Sequence, residues 1–584
     1  MNNSKKILIF FIFVGFLLRL KAALSLDVLA DDMLYASQSA GILDAKILST
    51  HSNPPLFFYL TDISYKIFGH TTFASRFWPL IAGTLLIVLI FMITKLLCKD
   101  EKIALIAAGF VTFSTFLIRM TFTEQSLLLL FFVGVGVIYS LKYMDSPKRF
   151  FLITASVSFG LALLTKYNAP FFILPTILFL GLEYERRNNQ YINKIIKHSL
   201  IFCSILILIA LPFLAFNYFI YKDKGIVDVY FSRIIHLDKT QALYGGLAGQ
   251  EESFFNRLKT PSSYGQYILS LKTDILLSIF SIIGLGLMFS RKQKEMLIFT
   301  LLFVAIPFIL QSGGSALAKH FIFIPFFLSI PAALGLNATL DKFVNAKYLK
   351  FAYISIALLM LLNLGASYGT PDNFFSTSAT SELKDFINEK VSSSDIIVLD
   401  SRIYAARNFW LATPHAFLLS EQFPQVFEAS KNLSSVNLQP TKVFVVECVI
   451  EDCGWGWVQN NERFNKTNEE VINVLAENGL LLKTISARTH TTQEIFSPGD
   501  ETEIYKVHFL SLNLPKNLNE IAKNAQTFYF TPYLYINREN YIFGYSVDGI
   551  GKLINSLCLW IIYLAVILSP IITIIICLET SRQS

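Results

Sequence analysis

The chain has 584 residues, of which 53% are hydrophobic and only 16% charged, with 54 phenylalanines. A soluble chain of this length carries about a quarter charged residues, so the composition excludes an ordinary soluble protein. The formal charge of +7 does not argue for a nucleic-acid partner, because the Lys and Arg residues stand in short loops between apolar runs, as membrane orientation requires.

Apolar runs near the length that crosses a bilayer, about 20 residues, fall near 7–26, 77–97, 103–119, 125–143, 150–165, 169–182, 199–221, 274–290, 296–311, 321–338, 350–367 and 553–577. They predict a polytopic α-helical membrane protein with about twelve transmembrane helices. The first run follows Lys5 and Lys6 and lacks a small-x-small cleavage site, so it reads as a retained helix rather than a signal peptide. Every second loop is basic, as at Lys95, Lys99 and Lys102, at Lys148 and Arg149, and at Lys342 and Lys347. The positive-inside rule makes that side cytoplasmic, together with the N-terminus. The expected location is multi-pass in the cell (inner) membrane.

Three larger segments, 27–76, 222–273 and 368–552, then fall on the other side. The last has α/β character: Asp395–Asp400 and Lys442–Val449 read as strands, Glu382–Val391 and Glu469–Asn478 as amphipathic helices. The predicted organisation is a membrane unit over 1–367, an extracytoplasmic α/β domain over 368–552, and a final helix with a cytoplasmic tail over 553–584. Of six cysteines, Cys98, Cys203, Cys558 and Cys577 read as packing residues. Cys448 and Cys453 form a disulfide if their segment faces an oxidising compartment, and are two free thiols otherwise.

Chemistry begins after the first helix, at Asp31-Asp32-Met-Leu-Tyr35. Adjacent acids at a membrane surface suit proton abstraction or metal binding, and they equally suit a solvated helix N-terminus. His51 and Asn53 precede Pro54-Pro55, a stiff corner that aims one of them at a site or simply holds a surface helix.

The acidic pair with Tyr-Ala, then Asn-Pro-Pro-Leu, then Phe68-Gly…Arg76 before the second long run resembles the GT-C membrane glycosyltransferases. Among these it is most similar to the protein O-mannosyltransferase family 39 and the lipid A aminoarabinose transferase group. Glu124 stands where that pattern keeps a second acid. Gly160…Thr165-Lys166 resembles its Gly-x-x-x-Leu-Thr-Lys-Gly element, with Tyr167 in place of Gly. Ala318-Lys319-His320…Pro325 resembles its Arg-Tyr-x-x-x-x-x-Pro helix opening, with His320 in place of Arg.

The resemblance implies a glycosyltransferase that takes its sugar from a polyprenyl phosphate and inverts the anomeric centre. Lys166, Lys319 and His320 would bind the donor phosphate, unless the lysines only snorkel to headgroups. Asp31 is the first choice for catalytic base, with Asp32 the fallback. Glu124 would orient the acceptor, bind a metal, or fix a basic partner such as Arg119. Tyr35, His51, Asn53 and His236 are candidates for substrate or metal contact. Asp31, Asp32, Glu124 and one of the two histidines offer an oxygen-rich set for Mg²⁺ or Mn²⁺, although no spacing demands a metal. Arg76 reads as an anchor to headgroups or to Asp62, and Trp455 and Trp457 either stack on a sugar or form the α/β core. The acceptor is lipid A, a protein hydroxyl or a surface glycan. The alternative, a flippase for lipid-linked sugars, predicts related halves and midplane polar residues. Here the polar residues gather at helix ends and no repeat is visible.

Overall fold

The computed structural model describes residues 3–25, 35, 36, 39, 41–46, 48, 53–69, 71–188, 192–224, 273–291, 293–313, 318–367, 379–400, 416–420, 423, 424, 426, 428, 437–449, 462–488, 501–518 and 549–583. In lipid a backbone must satisfy its own N–H and C=O groups, so the apolar runs form helices. The first half of the membrane unit comprises α1 (Asn3–Ser25), α2 (Leu56–Phe68), α3 (Thr72–Cys98), α4 (Glu101–Phe113), α5 (Thr115–Arg119), α6 (Ser126–Asp145) and α7 (Arg149–Thr165). There follow α8 (Pro170–Asn188), α9 (Ile192–Lys224), α10 (Ile275–Ser290), α11 (Lys294–Gly313), α12 (Phe323–Phe343) and α13 (Leu349–Ser367).

Helix covers each of the twelve predicted runs, the last as α16 (Ile550–Gln583). Among the described residues, seven helices are long and apolar enough to cross a membrane, and four further apolar helices are shorter. The third run departs from the expected single helix. It breaks at Ser114, where the Asp274 carboxylate accepts from the Ser114 hydroxyl at 2.5 Å and from the Thr115 N–H at 2.8 Å.

Two buried arginines hold helix ends. Arg19 donates to the Val111 carbonyl at 2.9 Å and to Gly15 at 3.1 Å, so a cation meets the last carbonyls of α4. Arg76 donates to the Ala23 carbonyl at 3.0 Å near the end of α1. Asp62, its expected partner, is committed elsewhere: its carboxylate accepts from the Gly41 and Leu43 N–H groups at 3.1 and 3.0 Å. The helices α10 and α12 touch backbone to backbone. A Cβ on Gly284 would lie 1.7 Å from the Pro331 carbonyl oxygen, and one on Gly335 would lie 2.1 Å from that of Phe280.

A five-stranded sheet stands at one end of the bundle. Its order is β2 (Ala416–Leu419), β1 (Ile396–Leu399), β3 (Leu438–Cys448), β5 (Glu501–Pro515), β4 (Leu480–Arg488). The first three strands are parallel, and β5 runs antiparallel to both its neighbours. Side chains alternate between the faces. Ile397, Leu399, Phe444 and Val446 pack with Leu383 and Ile387 of α14 (Ala379–Lys390). Ile396, Val398, Val443 and Val445 pack with Ile472 and Leu475 of α15 (Glu462–Glu477). The α14 face also takes in Ala36, Tyr65 and Ala74, so the sheet is seated on the first loop region of the bundle. We call this end of the bundle the sheet side. At the opposite end, Lys99–Asp145 at 2.9 Å and Lys102–Asp341 at 3.1 Å tie the helix termini together. Cys448 is disulfide-bonded, while Cys453, Trp455 and Trp457 lie outside the described residues.

Candidate active site

On the sheet side, three breaks between helices bring polar side chains together inside an apolar bundle. The first is the turn from α5 to α6. Glu124 sits there, 2% exposed, and one of its carboxylate oxygens accepts from the backbone N–H of Ser126, the first residue of α6. A carboxylate is favoured at a helix N-terminus, where backbone donors lack intrahelical partners.

The second break separates α7 from α8. Lys166 leaves the helix with φ −156° and ψ 141°, and Pro170 opens the next helix, a position that needs no backbone donor. The Lys166 ammonium, 4% exposed, pairs directly with Glu124 and donates to the Ser126 hydroxyl at 2.8 Å. Glu124 therefore has a basic partner, but it is Lys166, which lies 42 residues away.

The third is the 3₁₀ turn Ala318–Phe321 ahead of α12, which carries Lys319 and His320, both buried. The Lys319 ammonium lies over the Tyr35 ring, 5.6 Å from its centroid, a cation–π arrangement. His320 Nδ1 is 3.0 Å from the Gln311 amide nitrogen, and Gln311 Oε1 accepts from Asn168 at 2.5 Å. Burial would raise the Glu124 carboxyl, but the ammonium groups of Lys166 and Lys319 outweigh it, and the group falls well below its ordinary value, to about 2. The cluster thus combines one fixed carboxylate with two ammonium groups and an imidazole.

Beside the cluster is an apolar recess between α6, α8 and α12. Leu129, Phe171, Phe172 and Phe323 line it, and Ser126 and His320 share its wall. Asn168 and Gln311 complete its polar side.

The structure therefore gathers Glu124, Lys166, Lys319, His320 and Tyr35. Asn53 is buried just before the Pro54–Pro55 corner that opens α2. Asp31, Asp32, His51 and His236 lie outside the described residues. Of the set expected to offer a metal, only Glu124 is described, and it is bound to Lys166 and Ser126. Among the described residues, no group of three His, Cys, Asp or Glu side chains is placed to hold a metal ion. Sequence reasoning missed Ser126, Asn168 and Gln311. Neutral side chains at helix ends carry no signal of their own, although Asn168 lies only two residues beyond Lys166.

Residues 52–216, which include Glu124 and Lys166, match the model of the dolichyl-phosphate-mannose-protein mannosyltransferase family. The crystal structure of ArnT from Cupriavidus metallidurans in the apo state is similar at TM-score 0.50 and 13% identity, covering 86% of this chain and 97% of that one. The fold is that of a GT-C glycosyltransferase. ArnT from the same organism bound to undecaprenyl phosphate gives TM-score 0.48, again at 13% identity and with the same coverage of 86% and 97%. An uncharacterized protein of Aquifex aeolicus (strain VF5) is 23% identical over 129 residues, 22% of this chain. The chain spans about a quarter of that relative's length, 26%. The GT-C resemblance seen in the motifs therefore holds for the fold and for the multi-pass membrane character.

Proposed function

We propose that the chain transfers one monosaccharide from a polyprenyl-phosphate donor to a lipid A, protein or surface-glycan acceptor. The carrying observation is that Lys166, Lys319 and His320 face one buried carboxylate beside an apolar recess. The donor is an anion with a long apolar tail, so it needs counter-charge at one end and hydrocarbon contact along the other. In this reading the sheet side is extracytoplasmic, the N-terminus is cytoplasmic and the membrane is the inner one, as the basic loops argue.

In the reaction, the acceptor hydroxyl attacks the anomeric carbon as its proton passes to a carboxylate, and the sugar–phosphate bond breaks. Asp31 is assigned as that base, with Asp32 as the fallback, since the pair lies in sequence between the end of α1 and Tyr35. The phosphate leaves with a growing negative charge, and Lys166, Lys319 and His320 stabilise it. The pairing with Lys166 makes Glu124 a holder of that cation rather than a second base. With one base and no enzyme nucleophile, the anomeric centre inverts.

The test is sugar transfer by purified protein in nanodiscs from radiolabelled polyprenyl-phosphate sugars, with and without Mg²⁺ or Mn²⁺. Transfer lost in Asp31→Asn, with wild-type unfolding behaviour, supports the assignment. Transfer retained there, and lost in Asp32→Asn, moves the base by one residue. Absence of transfer from every donor with all acceptor classes refutes the reading.

A further inference from the structure

His320 does not stand alone in the cluster. Gln311 at the end of α11 and the half-buried Asn168 in the α7–α8 turn form a chain of hydrogen bonds that ends on its ring. The chain has a direction. Gln311 Oε1 accepts from the Asn168 amide, so the Gln311 NH₂ is the group left to face His320 Nδ1. An amide NH₂ can only donate, so Nδ1 accepts, and the single proton of a neutral imidazole resides on Nε2. Protonating Nδ1 would set two donors against each other unless both amides turned over.

We infer that Asn168 and Gln311 are positioning residues that hold His320 as the Nε2–H tautomer, an uncharged hydrogen-bond donor for the donor phosphate. The inference rests on the phosphate-pocket reading of the same cluster. Among the described residues, the charged groups that share the cluster with His320 are Glu124, Lys166 and Lys319. The relay also ties the turn bearing Lys166 to the turn bearing Lys319, so it fixes the spacing between the two cations.

Asn168→Asp tests the direction of the chain. The new carboxylate can only accept, so it turns the Gln311 amide over and presents Oε1 to His320, which drives the proton onto Nδ1. The measurement is ¹⁵N NMR of ring-labelled histidine in full-length protein in nanodiscs, with His320→Gln to assign the signal. Wild type is expected to show a bare Nδ1, and Asn168→Asp a protonated one. Because this readout needs no substrate, it still decides the inference if no donor is ever turned over. In the transfer assay, Asn168→Asp and Gln311→Leu are expected to lower kcat/KM about tenfold, mainly through KM, the scale of one hydrogen bond to a charged group. Gln311→Asn with rescue of neither signal, alongside those losses, fits a relay that requires the full reach of Gln311. A protonated Nδ1 in wild type, or wild-type kcat/KM in Gln311→Leu, overturns the inference.

Discussion

Replacing Lys166 with Met keeps most of the side-chain volume and removes its charge, leaving Glu124 buried beside Ser126. Removing one partner of a buried pair costs about 3–5 kcal/mol, because the remaining charge is desolvated without compensation. The Lys319 ammonium still faces Glu124, so the lower end, about 3 kcal/mol, is expected. Glu124→Gln strands Lys166 instead and should cost a similar amount. Removing both charges together strands neither, so the double variant should be only about 1–2 kcal/mol less stable than wild type, far short of the sum. Guanidinium unfolding in detergent for the four proteins reads the cycle directly. The same preparations assayed for transfer should show that the double variant recovers stability without recovering activity. Costs that simply add would refute the pairing as a coupled unit. Recovery of transfer together with stability would remove Lys166 from donor binding.

The pair also sets a pH dependence. The Glu124 carboxyl is depressed from 4.5 to about 2, so its contribution is fully present above about pH 5 and lost as pH falls toward 2. Unfolding midpoints should drop over that window in wild type and drop less in Glu124→Gln; equal drops would place the acid-labile group elsewhere. Arg76→Met removes the donor to the Ala23 carbonyl and should destabilise by about 2 kcal/mol, measured by thermal unfolding in detergent. Gly284→Ala must displace the Pro331 backbone, whereas a Cβ on Gly286 meets nothing within 4 Å. The first should cost about 3 kcal/mol or more and Gly286→Ala close to nothing, and similar unfolding of the two variants would dissolve the close crossing of α10 and α12.

The helices were legible because a bilayer imposes one rule on every span, a long apolar run. The break at Ser114 was not, since it depends on Asp274, 160 residues away. In the sheet, Asp395–Asp400 and Lys442–Val449 were visible as dense β-branched stretches, and they fall on β1 and β3. Strand β5 is half polar, and β4 opens with leucines that are exposed in the structure, so neither announced itself. At the site, motif order picked out Glu124, Lys166, Lys319 and His320 one by one. The pairing of Glu124 with Lys166 rather than nearby Arg119 could not be read from spacing, because it exists only once α6 and α7 lie side by side. Arg19 did leave a signal, as a guanidinium within an apolar run has to find acceptors among neighbouring helices.

The seat of the sheet on the bundle has a mechanical consequence. Ala36 belongs to the apolar cluster beneath α14, and the preceding residue, Tyr35, holds its ring under the Lys319 ammonium. One peptide unit, about 3.8 Å between Cα atoms, is all the slack between them. A displacement of the sheet by more than a few ångströms must therefore either pull Tyr35 off Lys319 or tear Ala36 from its seat. The appended unit is thus geared to the cation cluster, and whatever presses on the sheet also presses on Lys319.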